Sequence, residues 1–367
     1  MISILKQFIF PFFVTLSISL FGQIPSGYYN SASGLTGSDL KTALYNIIKN
    51  PNVDSYDNLW DDFEQTDKKS DGTVWDIYSN YTFHFTSDQC GSYSSEGDCY
   101  NREHSFPKSW FNDASPMYSD LFHIYPTDGY VNGQRSNLPY GEVGTATYTS
   151  SNGCKKGNNV YGSYTGTVFE PADEYKGDIA RTYFYMVTCY ENLVASWESN
   201  QAGADAMLNG TSFPAFENWS LQMLMDWNTQ DPVSQKEIDR NNAVYNIQGN
   251  RNPYIDHPEF VCLVWGNNCP NNLISLNQNP EEITISYQNN EISILCVSDA
   301  LNTENIHVYD TLGQIIAQKQ TTVYEGNWNI SIPLSDANNG HIVFVTVSTN
   351  KQHFISQKIF VPITSIK

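Results

Sequence analysis

The chain has 367 residues, with 19 Lys/Arg against 39 Asp/Glu and a formal net charge of −20. That length allows two domains. A bulk acidic chain does not coat itself with nucleic acid, because neutralising phosphates takes basic residues, so any polyanion contact has to be local.

Residues 1–22 read as a signal peptide, in which Lys6 precedes the apolar run FIFPFFVTLSISLF. That run is too short to span a bilayer. Cleavage is expected near Gly22/Gln23. No later stretch is apolar enough for a transmembrane helix, so the mature protein is expected to be exported and soluble. GLTGSDLKTALYNIIKNP (34–51) then reads as a helix, with Thr36 and Asp39 as a capping box, Leu40, Leu44, Ile47 and Ile48 as its apolar face, and Pro51 as its stop. A Tyr/Trp/Phe-rich region that includes IYSNYTFHF (77–85) reads as β-like to about residue 104. A short helix is expected near DGYVNGQRSN (128–137), and a Gly/Ser/Tyr-rich hairpin region over 140–167. Helices follow at 176–193, 216–227 and 231–248. In the last, Asp231 is expected as N-cap, Pro232 at the first helical position and Gly249 at the C-terminal end.

Composition shifts after Cys269. Residues 271–282 are Asn/Pro-rich and read as a linker, and residues 283–367 carry short alternating segments separated by turn signals. Such spacing implies an antiparallel β-sandwich of roughly seven strands. The whole is an α+β chain: a mixed domain over 23–270 and a small all-β domain behind it.

The seven cysteines fit an oxidising compartment. Cys90 with Cys99, and Cys262 with Cys269, are close pairs in polar, Gly/Asn-rich spans. Cys154 and Cys189 form a third pair or stay free, and Cys296 is the single thiol.

Two stretches carry chemistry. CYNREHSFPKSWF (99–111) sets Arg102, Glu103 and His104 side by side, and DLFHIYPTDGYVNGQRSN (120–137) follows it. Phosphodiester hydrolysis needs a base near neutral pH, which suits histidine. It also needs a cation against developing negative charge, and a carboxylate with an amide oxygen suits hard Mg²⁺. At a strand end, Glu103 and His104 would diverge, one toward a metal and one toward water.

With EPADEYKGDIARTYFYM and IQGNRNPYIDHPE, these stretches occur in the order of the endonuclease I family, and the chain resembles it over most of residues 30–265. The resemblance implies a secreted or periplasmic nuclease on a ββα-metal core. It implies His104 as general base, Glu103 and Asn132 as ligands of Mg²⁺ (with Mn²⁺ or Ca²⁺ as substitutes), and 5′-phosphate products. His104 itself would not bind the metal. The substrate expected is DNA, with RNA open, and the protein is expected to act as a monomer. The family's best-studied type carries an insertion with a phosphate-stabilising arginine; here FNDASPMYS (111–119) has no basic residue, which leaves Arg135 and Arg251 as candidates. Asp120 is expected to hold a turn, His123 and His257 to be structural, and Lys176 and Arg181 to anchor loops.

The tail resembles a type IX secretion C-terminal sorting domain through IHVYDTLGQIIAQ and HFISQKIFV. That implies secretion machinery as a partner and a cell-surface or secreted destination. The reading from a different class is a non-catalytic extracellular nucleic-acid or matrix-binding protein that keeps the fold.

Overall fold

The computed structural model describes residues 24–266 and, in the tail, 284–288, 291–298, 302–310, 314–323, 326–334, 342–349 and 354–360. The expected signal peptide, the linker and Cys269 lie outside them. The described residues form two compact units that part between Trp265 and Gly266.

The first unit opens with α1 (Gly37–Ile48), which buries Leu40, Leu44 and Ile48 at i, i+4 spacing. Thr36 is its N-cap residue but makes no side-chain cap bond, so the expected capping box does not form. Lys41 is buried on the same helix because its ammonium donates to the Val187 carbonyl at 2.8 Å and pairs with Glu191 at 2.9 Å. Next comes α2 (Leu59–Thr66), which the sequence reading missed.

The aromatic run at 77–85 is not a strand. Its side chains enter the core singly, with Ile77, Tyr78 and Phe83 buried. Its backbone is held by turn contacts instead, such as Tyr78 N–H donating to Asp76 at 2.8 Å. Apolar content alone cannot separate a buried loop from a strand.

Strand β1 (Tyr100–His104) pairs antiparallel with β2 (Ile124–Asp128), setting Glu103 opposite Tyr125 and His104 opposite Ile124. Helix α3 (Gly129–Arg135) leaves β2 directly. Asp128 caps it, accepting from the Tyr130 and Val131 amides at 2.8 and 3.1 Å. The result is a ββα unit. Strands β3 (Val143–Thr149), β4 (Lys155–Asn159) and β5 (Thr167–Glu170) form a separate antiparallel sheet in that order.

Helix α4 (Lys176–Cys189) is buried at all 14 positions, not on one apolar face. Its polar groups are paired, as a buried charge requires: Arg181 meets both oxygens of Glu237, at 2.6 and 2.8 Å. Around it lie α5 (Glu191–Val194), α6 (Ala202–Met207), α7 (Asn218–Gln230), α8 (Gln235–Gln248), α9 (Pro253–Asp256) and α10 (Glu259–Trp265). The cap of α8 is Ser234, in a capping box with Glu237, rather than Asp231. Asp231 accepts from the Gly177 amide at the start of α4 at 2.8 Å. Gly249 closes α8 as expected, in the left-handed region at φ 76°.

The second unit has seven described strands: β6 (Thr284–Gln288), β7 (Glu291–Ser298), β8 (Asn302–Tyr309), β9 (Ile315–Val323), β10 (Gly326–Pro333), β11 (Ile342–Thr349) and β12 (Phe354–Phe360). They make two antiparallel sheets, β10-β7-β6 and β12-β11-β8-β9. One core draws on both, with Ile292, Ile294 and Ile330 from the first and Ile306, Val308 and Val345 from the second. This is the α+β chain with an all-β sandwich that the alternating segments imply.

Cys90 and Cys99 are bonded, Cys262 is disulfide-bonded, and Cys154 and Cys189 are free and buried. The side chain of Cys296 lies outside what is described.

Arg240 ties α8 to the ββα unit. Its guanidinium pairs with buried Asp67 at 2.8 Å and donates to the carbonyls of Leu121 and Ile124 at 2.8 and 2.9 Å. Arg240→Met strands the Asp67 carboxylate in the interior and is expected to cost about 3–5 kcal/mol. Urea unfolding checks this, and a cost below about 1 kcal/mol would show that the pair does not hold the unit together.

Candidate active site

Glu103 and His104 end β1, so their side chains leave on opposite faces of the strand. Toward α3, Glu103 Oε1 accepts from the Tyr78 hydroxyl at 2.8 Å and meets Arg135 Nη1 at 3.2 Å. Both contacts use Oε1, which leaves Oε2 outside them. Asn132 lies one turn before Arg135 on α3, and its amide nitrogen donates to Asn101 Oδ1 at 2.7 Å. That bond commits the nitrogen and leaves the amide oxygen as the available atom.

On the other face, the His104 ring stacks on Tyr56 at 5.7 Å and also packs on Tyr118 and His123. His104 Nε2 lies 3.1 Å from the Tyr118 carbonyl. A carbonyl only accepts, so Nε2 carries the proton and Nδ1 holds the lone pair of the neutral ring. Burial, helped by His123, pushes the His104 pKa well below its ordinary value. The imidazole is therefore neutral at pH 7. Burial pushes the Glu103 carboxyl the other way, upward, while Arg135 and Tyr78 act against that rise.

Glu103, His104, Asn132 and Arg135 line one cavity of about 360 Å³, together with Tyr56, Arg102 and Lys108. The sequence reading missed the last three as site residues. Arg102 and Lys108 lie inside the NREHSFPKSW stretch itself, whereas nothing around Tyr56 sets it apart. Among the described residues no three His, Cys, Asp or Glu side chains form a metal cluster. The donor set here is one carboxylate and one amide oxygen, which fits a hard divalent cation that keeps several of its waters.

The two arginines weighed as phosphate contacts are both withdrawn from solvent. Arg135 lines the cavity but is 1% exposed. Its donors go to the His104 carbonyl at 2.9 Å, the Ser105 carbonyl and Glu103, with Tyr140 beneath it. Arg251 is not brought to the cavity. It is equally buried, and its fork closes on Asp256 at 2.6 and 2.7 Å. Asp120 holds a turn as expected, accepting from the Phe122 amide and from the Tyr185 and Tyr190 hydroxyls. His123 is buried, with Nε2 at 2.7 Å from the Met117 carbonyl.

Residues 36–259 match the Endonuclease I family. The chain belongs to the endonuclease I family. It is 34% identical over 245 residues to an extracellular ribonuclease of Bacillus amyloliquefaciens, spanning 65% of this chain and 78% of that protein. Shorter similarities reach Endonuclease-1 of Buchnera aphidicola (29% identical over 37% of this chain and 44% of that one). An extracellular deoxyribonuclease of Aeromonas hydrophila is 25% identical over 38% of this chain and 50% of its own length. Residues 279–362 match a secretion system C-terminal sorting domain. This endonuclease I chain is thus a nuclease and a secreted or cell-surface protein, with a nucleic acid as substrate and secretion machinery as the tail's partner. No helix among the described residues is long and apolar enough to cross a membrane.

Asp76 fixes the turn that delivers Tyr78 to Glu103, accepting from the Tyr78 amide at 2.8 Å and the Ser79 hydroxyl at 2.6 Å. Burial raises its carboxyl from 3.8 to about 7. A raised folded-state pKa contributes stability that is complete below the unfolded value and is lost as pH rises through the folded value. Asp76→Asn is therefore expected to flatten the fall in stability between about pH 4 and 7 relative to the parent. Chemical unfolding across that range checks it; parallel curves would place the titration elsewhere.

Proposed function

We propose that the protein is a Mg²⁺-dependent, sequence-tolerant endonuclease that hydrolyses DNA, and RNA with it, leaving 5′-phosphate ends. The observation that carries this is a neutral, buried His104 lining the same cavity as the Glu103 carboxylate and the Asn132 amide.

In this reading, His104 Nδ1 takes a proton from a water that attacks the phosphorus. Its Nε2–H stays on the Tyr118 carbonyl, so the ring keeps its tautomer and orientation through the step. The bond from phosphorus to the 3′ oxygen breaks, and that oxygen leaves with a proton from solvent. Glu103 and Asn132 would hold a divalent cation, whose charge opposes the negative charge that develops on the phosphate. Arg135 supports the arrangement from behind, by fixing the backbone at His104 and Ser105. Tyr78 fixes one oxygen of Glu103.

Water as nucleophile leaves the 2′-hydroxyl without a role, so one site can serve both polymers. Relatives named as ribonuclease and as deoxyribonuclease are in keeping with this. Recognition through phosphates, which carry no sequence information, accounts for tolerance of sequence.

His104→Ala is expected to lower kcat by about 10²–10⁴-fold on plasmid DNA and on RNA alike, because a positioned base supplies that much. EDTA should abolish both activities and Mg²⁺ restore them, and the DNA fragments should ligate without prior phosphorylation. An undiminished His104→Ala rate removes the base. Activity that persists in EDTA removes the metal, and fragments that need phosphorylation reverse the bond that breaks.

A further inference from the structure

The cavity also presents two cations, Arg102 and Lys108, that the chemistry above does not use. The other four arginines each face a buried carboxylate: Arg135 with Glu103, Arg181 with Glu237, Arg240 with Asp67 and Arg251 with Asp256. Arg102 does not. Its acidic neighbour, Asp57, is 3.6 Å away and 96% exposed, so the pair is screened by solvent. Aromatic rings hold the guanidinium instead. It lies 3.7 Å from the Tyr56 ring centre and 4.5 Å from that of Trp60, and it donates to the Tyr56 carbonyl at 2.5 Å. A guanidinium stacked in this way is immobilised while its charge stays available. Lys108 is half exposed, with Asp113 at 3.0 Å.

Position gives this cation a task. Arg102 and His104 are two residues apart on β1, so they share a face of the strand and lie about 7 Å apart along it. Tyr56 touches both, stacking on the His104 ring and on the Arg102 guanidinium. Consecutive phosphates along a nucleic-acid strand have a comparable separation. With one phosphate at His104, the next one along the backbone falls within reach of Arg102.

We propose that Arg102, assisted by Lys108, binds the phosphate adjacent to the scissile one. This rests on the reading of His104 as the base. The subsite takes a phosphodiester and reads no base, and it places a local cation in a domain whose residues 23–275 carry 14 Lys/Arg against 31 Asp/Glu.

The test uses the mature enzyme with Arg102→Met, Arg102→Lys and Lys108→Met, each checked for an unchanged thermal midpoint. Two substrates are compared across a salt series: duplex DNA, and bis(p-nitrophenyl) phosphate, which has one phosphodiester and no neighbour. Arg102→Met should raise KM on DNA by about 10–100-fold, the worth of a charged hydrogen bond, with a far smaller change on the small diester. Its slope of log kcat/KM against log salt should become less negative by about 0.9. Arg102→Lys should recover most of the slope. Lys108→Met should shift KM in the same direction by less. An equal loss on both substrates with an unchanged slope overturns the proposal, since that is what a residue that merely packs Tyr56 against His104 would give. A parent that cuts neither substrate, or a His104→Ala enzyme as fast as the parent, overturns the reading of the base and this assignment with it.

Discussion

A single buried guanidinium fixes the site. Arg135 ends α3 and reaches across to the end of β1, where it holds the carbonyls of His104 and Ser105 and meets the Glu103 carboxylate. Taking a guanidinium out of water costs several kcal/mol unless its donors and charge are satisfied. Its two terminal nitrogens and its charge are met, with Tyr140 under it, Tyr183 beside it and the Tyr78 hydroxyl sharing Glu103 Oε1, while its Nε is buried without a partner. Because Asn132 lies one turn earlier on α3, the same contact sets Asn132 relative to Glu103. Arg135 thus determines how a carboxylate, an amide and an imidazole from two elements come to line one cavity, although it is itself withdrawn from solvent.

The distribution of charge follows from the same logic. Four of five arginines are consumed internally by buried acids, so the acidic domain has little cationic surface with which to attract a polyanion. A polyanionic substrate therefore has to be held by short-range contacts from a small number of exposed donors. Buried ion pairs of this kind contribute position more than net stability. The link from packing to the candidate site is therefore geometric: Arg181 and Arg240 seat α4, α8 and the ββα unit, and the ββα unit carries Glu103, His104 and Asn132.

Much of this was legible in the sequence. Local signals placed α1, α3, α4, α7, α8 and the seven-stranded tail, because periodicity, a terminal glycine and turn-bounded alternation are properties of neighbouring residues. Glu103, His104 and Asn132 were singled out through the order of four motifs, and the fold brings all three to one cavity. The failures were of another kind. α2 and the loop at 77–85 were misread because aromatic residues bury equally well from a loop. Asp231 has the composition of a cap, yet it serves α4, while Ser234 caps α8. Arg135 and Arg251 were weighed as phosphate contacts without their burial being legible, because burial of an arginine depends on acids and carbonyls brought close by the fold. In the reverse direction, Arg102 was noticed beside Glu103 and His104 but given no role, because Tyr56, the ring that holds it, is 46 residues away. The pairing of a cation with distant partners decides its role, and only the fold supplies them.

The most direct test of the central claim measures metal binding rather than turnover. Mn²⁺ titration followed by electron paramagnetic resonance, on the parent and on Glu103→Gln, Asn132→Ala and His104→Ala, separates ligands from base. The account predicts that the first two lose affinity by about tenfold or more, while His104→Ala binds Mn²⁺ as the parent does. Loss of binding in His104→Ala, or parent-like binding in Glu103→Gln, would contradict it.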